Sequence, residues 1–98
     1  YFMMVIVSYD VSTTTKSGKK RLKKVADTCL NFGIRAQNSV FECIVDPAQW
    51  ELLKNELLSL YKEEEDSLRF YFLGSNWERR LEHHGKDKNL NIEDPFIL

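Results

Sequence analysis

Met4-Val5-Ile6-Val7-Ser8-Tyr9-Asp10 is a continuous run of β-branched and apolar residues that ends on a carboxylate. A strand that is apolar at consecutive positions needs cover on both faces of its sheet, whereas a half-solvated strand alternates. We therefore predict a buried central strand with Asp10 at its exit. The carboxylate faces a polar loop at 11–17, and loops at strand ends often carry function. Asp10 is the first candidate for a functional residue.

The composition fits one domain of 98 residues with a formal net charge of −1, so no overall basic field argues for nucleic acid. The charge is uneven, because residues 16–24 are strongly basic and residues 63–66 are four acids in a row. Cys29 and Cys43 lie in apolar stretches, which indicates a reduced, cytoplasmic protein. No stretch reaches the roughly 20 apolar residues of a membrane span, and no signal peptide is visible. Tyr1 and Phe2 precede two methionines and are interpreted as an expression remnant.

The first half of the chain predicts a helix and two further strands. Ser17 is placed to cap the helix, and Gly33 stands where a C′ glycine belongs. The helix has an apolar stripe at helical spacing, formed by Leu22, Val25, Ala26, Cys29 and Leu30. Gln37 and Asn38 can turn or bulge, which predicts one strand near 34–37 and a longer one near 39–45.

The second half predicts another helix, another strand and a tail. Asp46 is an Asx cap, Pro47 takes the first helical position and Gln49 the capping-box position. The buried stripe of this helix comprises Trp50, Leu53, Leu57, Leu60 and Tyr61, and core packing explains it. The acids at 63–66 predict an exposed loop, because they would oppose the helix dipole. A strand at 68–74, a weaker strand at 77–84 and a docking tail at 86–98 complete the domain.

The element order strand, helix, strand, strand, helix, strand predicts an α+β fold, the ferredoxin-like βαββαβ arrangement with an antiparallel sheet. The first strand then lies between the third and fourth strands, so Asp10 should lie near Ser39 and Phe41. Both helices cover one face, and the open face needs a second copy, packed sheet against sheet. A two-fold axis near the end of the first strand would bring two Asp10 carboxylates together. Such a pair must be protonated or bridged by a cation, and Mg²⁺ or Mn²⁺ fits.

Three segments together resemble CRISPR-associated protein 2, the small adaptation subunit of CRISPR systems. They are Val7-Ser8-Tyr9-Asp10-Val11, Lys19-Lys20-Arg21-Leu22-Lys23-Lys24-Val25 and Gly33-Ile34-Arg35-Ala36-Gln37-Asn38-Ser39-Val40-Phe41-Glu42. The resemblance implies a homodimer whose strand-end aspartate binds a metal ion. It also implies metal-dependent cleavage of RNA or DNA in some members, and a scaffold role between two dimers of the integrase, CRISPR-associated protein 1, during spacer acquisition.

Carried onto this chain, the resemblance makes Asp10 the metal ligand and catalytic residue, with Tyr9, Arg35, Ser39 and Phe41 as supporting site residues. The expected nucleic-acid partners are duplex DNA and single-stranded RNA. The expected phosphate contacts are basic residues, namely Lys16, Lys19, Lys20, Arg21, Lys23, Lys24 and Arg35. The first helix has mostly lysine where the family has mostly arginine, which phosphate contacts tolerate better than bidentate recognition does.

Simpler interpretations stand beside these. Asp10 could cap its loop through backbone N–H groups, and the lysines could form an ordinary solvated helix face. His83 and His84 cannot chelate one ion from a strand, because adjacent strand residues point to opposite faces. The sequence has no phosphate-binding glycine loop, and its cysteines lack metal-ligand spacing.

Three functions compete on this sequence. The dimer could be a Mg²⁺-dependent endonuclease, a DNA-binding scaffold for the integrase, or a stand-alone, toxin-like ribonuclease resembling virulence-associated protein D. The same lysines and the same aspartate serve the first two functions, so the sequence does not separate them.

Overall fold

The computed structural model describes residues 1–85, and the predicted tail at 86–98 lies outside the described residues. The elements in chain order are β1 (Met3–Asp10), α1 (Lys16–Leu30), β2 (Gly33–Gln37), β3 (Val40–Val45), α2 (Pro47–Leu60), β4 (Ser67–Gly74) and α3 (Trp77–Arg80). The four strands form one sheet in the order β2-β3-β1-β4, and all neighbouring strands are antiparallel. The predicted ferredoxin-like α+β fold is therefore confirmed.

β1 is the central strand that its apolar run predicts. Its residues Val5, Val7 and Tyr9 are 0% exposed and pack beneath both helices. The same layer contains the β3 residues predicted to share a face, with Phe41 and Cys43 also fully buried. The two helices cover this face and leave the other face of the sheet open.

The start of α1 differs from the prediction. Thr15, and not Ser17, is the N-cap, and its Oγ1 accepts a hydrogen bond from the backbone N–H of Gly18 at 3.0 Å. Ser17 lies in the first turn, where its Oγ accepts a hydrogen bond from Arg21 at 2.7 Å. The polar run before the helix offers several hydroxyls, so composition alone could not choose the capping residue.

Gly33 has a different role from the predicted C′ cap. It is the first residue of β2, and the glycines with positive φ among residues 1–85 are Gly74 and Gly85. A Cβ at Gly33 would lie 1.9 Å from the carbonyl oxygen of Glu42. Glycine is needed here because the backbones of β2 and β3 approach closely, and not for a left-handed turn.

α2 begins as its sequence predicts. Asp46 accepts a hydrogen bond from the Gln49 backbone at 2.7 Å, and the Gln49 side chain accepts one from the Asp46 backbone at 2.9 Å. Trp50 then meets Phe70 of β4 edge-on, with ring centroids 4.8 Å apart. Leu53 in the next turn is 0% exposed, so α2 is fixed to the sheet through its predicted stripe.

The predicted weaker strand at 77–84 is wrong. Trp77–Arg80 is a single helical turn, and residues 81–85 are irregular. Gly74 ends β4 with φ of 74°, and Arg80 then donates a hydrogen bond to the carbonyl of Leu73 at 3.0 Å. The chain therefore folds back on the end of β4, and within residues 1–85 the sheet has no fifth strand.

The open face of the sheet carries apolar side chains. Ile6 is half-buried, and Tyr71, its partner on β4, is 48% exposed. Ile44 of β3 is 41% exposed on the same face. This face is the surface for which the sequence predicts a second copy. Among residues 1–85, no helix is long and apolar enough to cross a membrane.

Candidate active site at the end of the first strand

A polar cleft of about 310 Å³ lies where β1 leaves the sheet. It is lined by residues from β1, the β2–β3 turn and β4, namely Ser8, Tyr9, Asp10, Ser39, Ser67 and Arg69. The strand register places them there, because Ser8 pairs with Arg69 and Asp10 with Ser67. Tyr9 donates its backbone N–H to the carbonyl of Ser39 at 2.9 Å, which holds the turn against β1.

Asp10 is the acidic residue of this cleft, and its side chain is exposed. Mg²⁺ is usually bound by one or two carboxylates together with waters and substrate phosphates. Within residues 1–85, no group of three or more His, Cys, Asp or Glu side chains could hold a metal ion. One chain therefore offers one carboxylate, with serine hydroxyls beside it, and this set fits a hydrated Mg²⁺ or Mn²⁺ if a second copy supplies the second carboxylate.

Arg69 brings a positive charge to the same cleft. Its Nη1 donates a hydrogen bond to Tyr71 Oη at 3.4 Å. That hydrogen bond raises the pKa of Arg69, and the nearby Asp10 carboxylate adds to the rise. The cleft thus combines a carboxylate with a guanidinium, a side chain whose geometry matches phosphate.

Behind the cleft lies a buried cluster centred on Asp66, whose side chain is 0% exposed. Tyr9 donates its hydroxyl to Asp66 Oδ2. Arg21 binds the same carboxylate through both oxygens, with Nε at 2.8 Å from Oδ2 and Nη2 at 3.0 Å from Oδ1. The backbone N–H of Lys62 adds a bond to Oδ2 at 3.0 Å. We call these three side chains, Tyr9, Arg21 and Asp66, the Asp66 cluster.

The Asp66 cluster shifts the pKa of each member. Burial alone would raise the pKa of Asp66, but hydrogen bonds from Arg21, Tyr9 and the Lys62 backbone outweigh it and lower that pKa below its usual range. The hydrogen bond to Asp66 raises the pKa of Arg21. Burial, with the hydrogen bond to Asp66, raises the pKa of Tyr9 to about 12. At neutral pH the cluster holds an ion pair and a neutral phenol.

The structure places some of the predicted catalytic residues in the cleft and others outside it. Asp10, Tyr9 and Ser39 line the cleft together, as the topology predicts, although the Tyr9 side chain is buried. Phe41 is 0% exposed in the core and does not line the cleft. Arg35 lies over the Phe41 ring at 5.5 Å and donates Nε to the carbonyl of Asn38 at 2.9 Å. The roles assigned to Arg35 and Phe41 stay predictions.

The basic residues predicted to contact nucleic acid also differ in their exposure. The five lysines of α1 are all exposed, namely Lys16, Lys19, Lys20, Lys23 and Lys24. Lys23 pairs with Asp27 at 3.2 Å, one turn along the same helix. Arg21 differs, because its side chain is only 15% exposed and is committed to Asp66. The accessible positive surface of α1 therefore consists of lysines.

Two smaller predictions concern residues near the C-terminal side. The predicted exposed loop at 63–66 is correct for its first three acids, but Asp66 is buried and bonded. His83 bonds to the carbonyl of Gly85, whereas His84 bonds to Glu82 at 2.8 Å. The two histidines thus have separate partners, as expected for surface residues.

Sequence reasoning missed Arg69, Ser67 and the role of Asp66. A usable signal was present for Arg69 and Ser67, because the predicted topology already placed β4 beside β1 in antiparallel register. The start of β4 therefore lies near Asp10, but the register that pairs Asp10 with Ser67 does not follow from the strand order alone. Asp66 carried no comparable signal, since it ends a run of four acids that looks uniformly exposed.

The fold and the cleft define a class of small ferredoxin-like domains with an aspartate at the exit of the first strand. The family model described as CRISPR associated protein Cas2 matches residues 3–81. The chain belongs to this family, as the resemblance predicted.

Individual relatives agree with this assignment. The CRISPR-associated endoribonuclease Cas2 of Chlorobaculum tepidum is 53% identical over 96 residues, which cover 98% of this chain and 100% of that protein. The CRISPR-associated endonuclease Cas2 of Halalkalibacterium halodurans is 54% identical over the same shares of the two chains. The crystal structure of Streptococcus pyogenes Cas2 superposes with a TM-score of 0.77 at 53% identity, covering 85% of this chain and 100% of that one.

Proposed function

We propose that this protein is a CRISPR adaptation subunit. It acts in the cytoplasm as a homodimer that binds duplex DNA and scaffolds the integrase, CRISPR-associated protein 1, during spacer acquisition. The isolated dimer also cleaves RNA or DNA with Mg²⁺ or Mn²⁺. The observation that carries the nuclease part is the exposed Asp10 carboxylate in a polar cleft beside Arg69. Family membership and the names of the relatives, endoribonuclease and endonuclease, support it.

The open sheet face supports the homodimer. Ile44 and Tyr71 expose large apolar surfaces on that face, and Ile6 is only half-buried between the strands. An exposed apolar surface on a small domain favours association, because burial removes it from water. A symmetric interface presents the same surface from both copies. With the two-fold axis beside the end of β1, each copy supplies one Asp10 to a shared site.

The residues of the cleft have distinct tasks in phosphodiester cleavage. A divalent ion, when bound, supplies charge neutralisation and lowers the pKa of its water. The two Asp10 carboxylates hold that ion, and Arg69 binds a phosphate oxygen of the substrate. The hydroxyls of Ser8, Ser39 and Ser67 line the cleft wall, where they hydrogen-bond water or sugar.

The lysines of α1 support DNA binding through the phosphate backbone. Their ammonium groups are exposed along one helix, and phosphate contacts from lysine need no bidentate geometry. Such contacts position a duplex without reading its sequence. The proposed scaffold therefore binds unrelated duplexes with similar affinity at one salt concentration.

A paired assay tests the proposal. Gel shift with duplex DNA and cleavage of single-stranded RNA and duplex DNA are measured for the parent and Asp10→Ala at saturating Mg²⁺. We expect Asp10→Ala to lose cleavage and to keep its dimeric state and DNA binding. Glu56→Ala is the matched control, because Glu56 is an exposed acid on α2 that does not line the cleft and lies outside the proposed DNA-binding set.

The outcomes separate the two parts of the proposal. A dimeric Asp10→Ala protein that cleaves as fast as the parent contradicts the nuclease part. A parent protein that fails to shift duplex DNA at low salt contradicts the scaffold part. Spacer acquisition reconstituted with the integrase then asks whether the scaffold role survives in Asp10→Ala, as we expect.

A further inference from the structure

We propose that Asp66 is a positioning residue for Asp10, acting through Tyr9 and Ser67. The inference rests on the proposed function, since it concerns the same cleft. The argument begins with chain order on two neighbouring strands. Tyr9 directly precedes Asp10 on β1, and Asp66 directly precedes Ser67 on β4, where Ser67 is the strand partner of Asp10.

Asp66 is hydrogen-bonded both to β1 and to the chain segment that precedes β4. Its carboxylate accepts the hydroxyl of Tyr9, so the residue before Asp10 is tied to the residue before Ser67. The same carboxylate accepts the Lys62 backbone N–H at 3.0 Å, which closes the chain segment that leads into β4. The last pair of the β1–β4 ladder is therefore held from behind the sheet as well as by its own backbone.

Arg21 extends this hold to α1. Its guanidinium grips both oxygens of Asp66, at 2.8 and 3.0 Å, in a geometry that fixes the carboxylate plane. A carboxylate fixed in this way presents one defined position to the Tyr9 hydroxyl. Because Tyr9 and Arg21 reach Asp66 on the helix-covered face, the cluster supports the end of β1 from behind the cleft.

The cleft requires such support because β1 ends at Asp10. Beyond it the chain leaves the sheet, and after the half-buried Val11 residues 12–15 form an exposed loop, so Asp10 has strand backbone on its N-terminal side only. Tyr9 also donates its backbone N–H to Ser39 at 2.9 Å. A shift of Tyr9 would thus move Asp10 relative to Ser39 and Ser67 together. Groups that orient a metal ligand typically change affinity or activity by about 10- to 100-fold when removed.

The experiment uses the 98-residue chain and three variants. Asp66→Asn removes the charge with little change in size, Tyr9→Phe removes only the hydroxyl, and Glu64→Gln is the matched control. Glu64 belongs to the same acidic run but is exposed. If Asp66→Asn does not fold, Tyr9→Phe alone still tests the proposal, because it leaves the Arg21–Asp66 pair in place.

The first measurement needs no activity. Hydrogen exchange of backbone amides is followed by NMR well below the melting temperature. We expect the Tyr9 amide to exchange about tenfold faster in both cluster variants, while the amides of Val5 and Cys43 in the middle of the sheet keep the parent rate. Uniform acceleration at all of these amides indicates a merely structural role and overturns the proposal.

The second measurement follows Mn²⁺ affinity and the cleavage rate at saturating substrate. We expect each to fall by about 10- to 100-fold in the cluster variants, with duplex DNA binding unchanged. Parent values for Mn²⁺ affinity and rate in Tyr9→Phe overturn the proposal. If the proposed function itself is wrong, the result differs: the Asp10→Ala protein then matches the parent in Mn²⁺ affinity and in cleavage rate.

Discussion

The hydroxyl of Tyr9 donates to the buried carboxylate of Asp66, and this contact joins two residues that are 57 positions apart in the chain. Each of the two lies one residue before a member of the last β1–β4 pair. The contact therefore connects the interior of the domain to the cleft at Asp10. The Asp66 carboxylate also binds the guanidinium of Arg21. Because the phenol of Tyr9 and the carboxylate of Asp66 are titratable, the stability that this contact contributes depends on pH.

The first prediction concerns the phenol of Tyr9. The protein has four tyrosines, and burial with the hydrogen bond to Asp66 raises the pKa of Tyr9 to about 12. An alkaline titration followed by absorbance of the phenolate should show one tyrosine that ionises only near this pH. Tyr9→Phe should remove that late step and leave the others.

The sign of the effect on stability follows from the raised pKa. The Tyr9 phenol ionises near pH 10 in the unfolded chain, so its contribution to stability is complete below that pH and is lost as the pH rises toward about 12. Loss of this contribution at neutral pH would contradict the prediction. The denaturation midpoint measured from pH 8 to about 12 checks it.

The second prediction concerns acid. The folded pKa of Asp66 is lowered, so its contribution is fully present above the unfolded value of about 3.9 and is lost as the pH falls through the lower folded value. Asp66→Asn should be less stable than the parent at neutral pH but should lose less stability below pH 4. Thermal unfolding between pH 2.5 and 7 measures both slopes, with Glu64→Gln as control. Parallel curves for the parent and Asp66→Asn would count against an ionised Asp66.

Most of the fold could be predicted because its signals are local and periodic. The apolar run that ends at Asp10, the capping residues Asp46 and Gln49 and the stripe of α2 each report on a single element. Gly33 and Ser17 were misassigned for a common reason. A glycine can serve a left-handed cap or a close backbone approach, and a serine beside threonines is one of several caps, so the choice depends on contacts absent from local sequence.

Only the part of the candidate site that follows from the strand order could be predicted from the sequence. The order of the strands brings Asp10, Tyr9 and Ser39 together, and this could be stated without coordinates. Asp66 could not be found, because a buried acid differs from its exposed neighbours by long-range partners and not by composition. The bond between Arg21 and Asp66 is equally hidden from the sequence, since it spans 45 residues of chain.

The third prediction tests the open face of the sheet. Ile44→Lys places a charge on that face and should weaken the proposed homodimer, whose interface should bury more than about 1,200 Å² in total. Leu58→Lys is the matched control, because Leu58 is 45% exposed on α2 and Ile44 is 41% exposed on β3. Light scattering with size-exclusion chromatography at micromolar concentration gives the masses. A parent protein that is monomeric there would contradict the prediction.

The fourth prediction separates the lysines of α1 from Arg21. If exposed lysines contact phosphates, each contact releases condensed counterions, so the slope of log affinity against log salt is about −0.9 for each phosphate neutralised on duplex DNA. Lys20→Gln should therefore make the slope about 0.9 shallower for each phosphate contact that is lost. Lys54→Gln is the control, because Lys54 pairs with Glu51 on α2 at 3.6 Å.

Arg21→Gln should behave differently from Lys20→Gln. It leaves Asp66 buried without its main cationic partner, so its principal effect should be a lower melting temperature. In the remaining folded protein the salt slope should match the parent, since the Arg21 side chain is only 15% exposed and its guanidinium is bound to Asp66. Fluorescence anisotropy with a labelled duplex between 50 and about 200 mM salt, the range in which such slopes are resolved, measures both variants. A stable Arg21→Gln protein with a shallower slope would return Arg21 to the DNA-binding set.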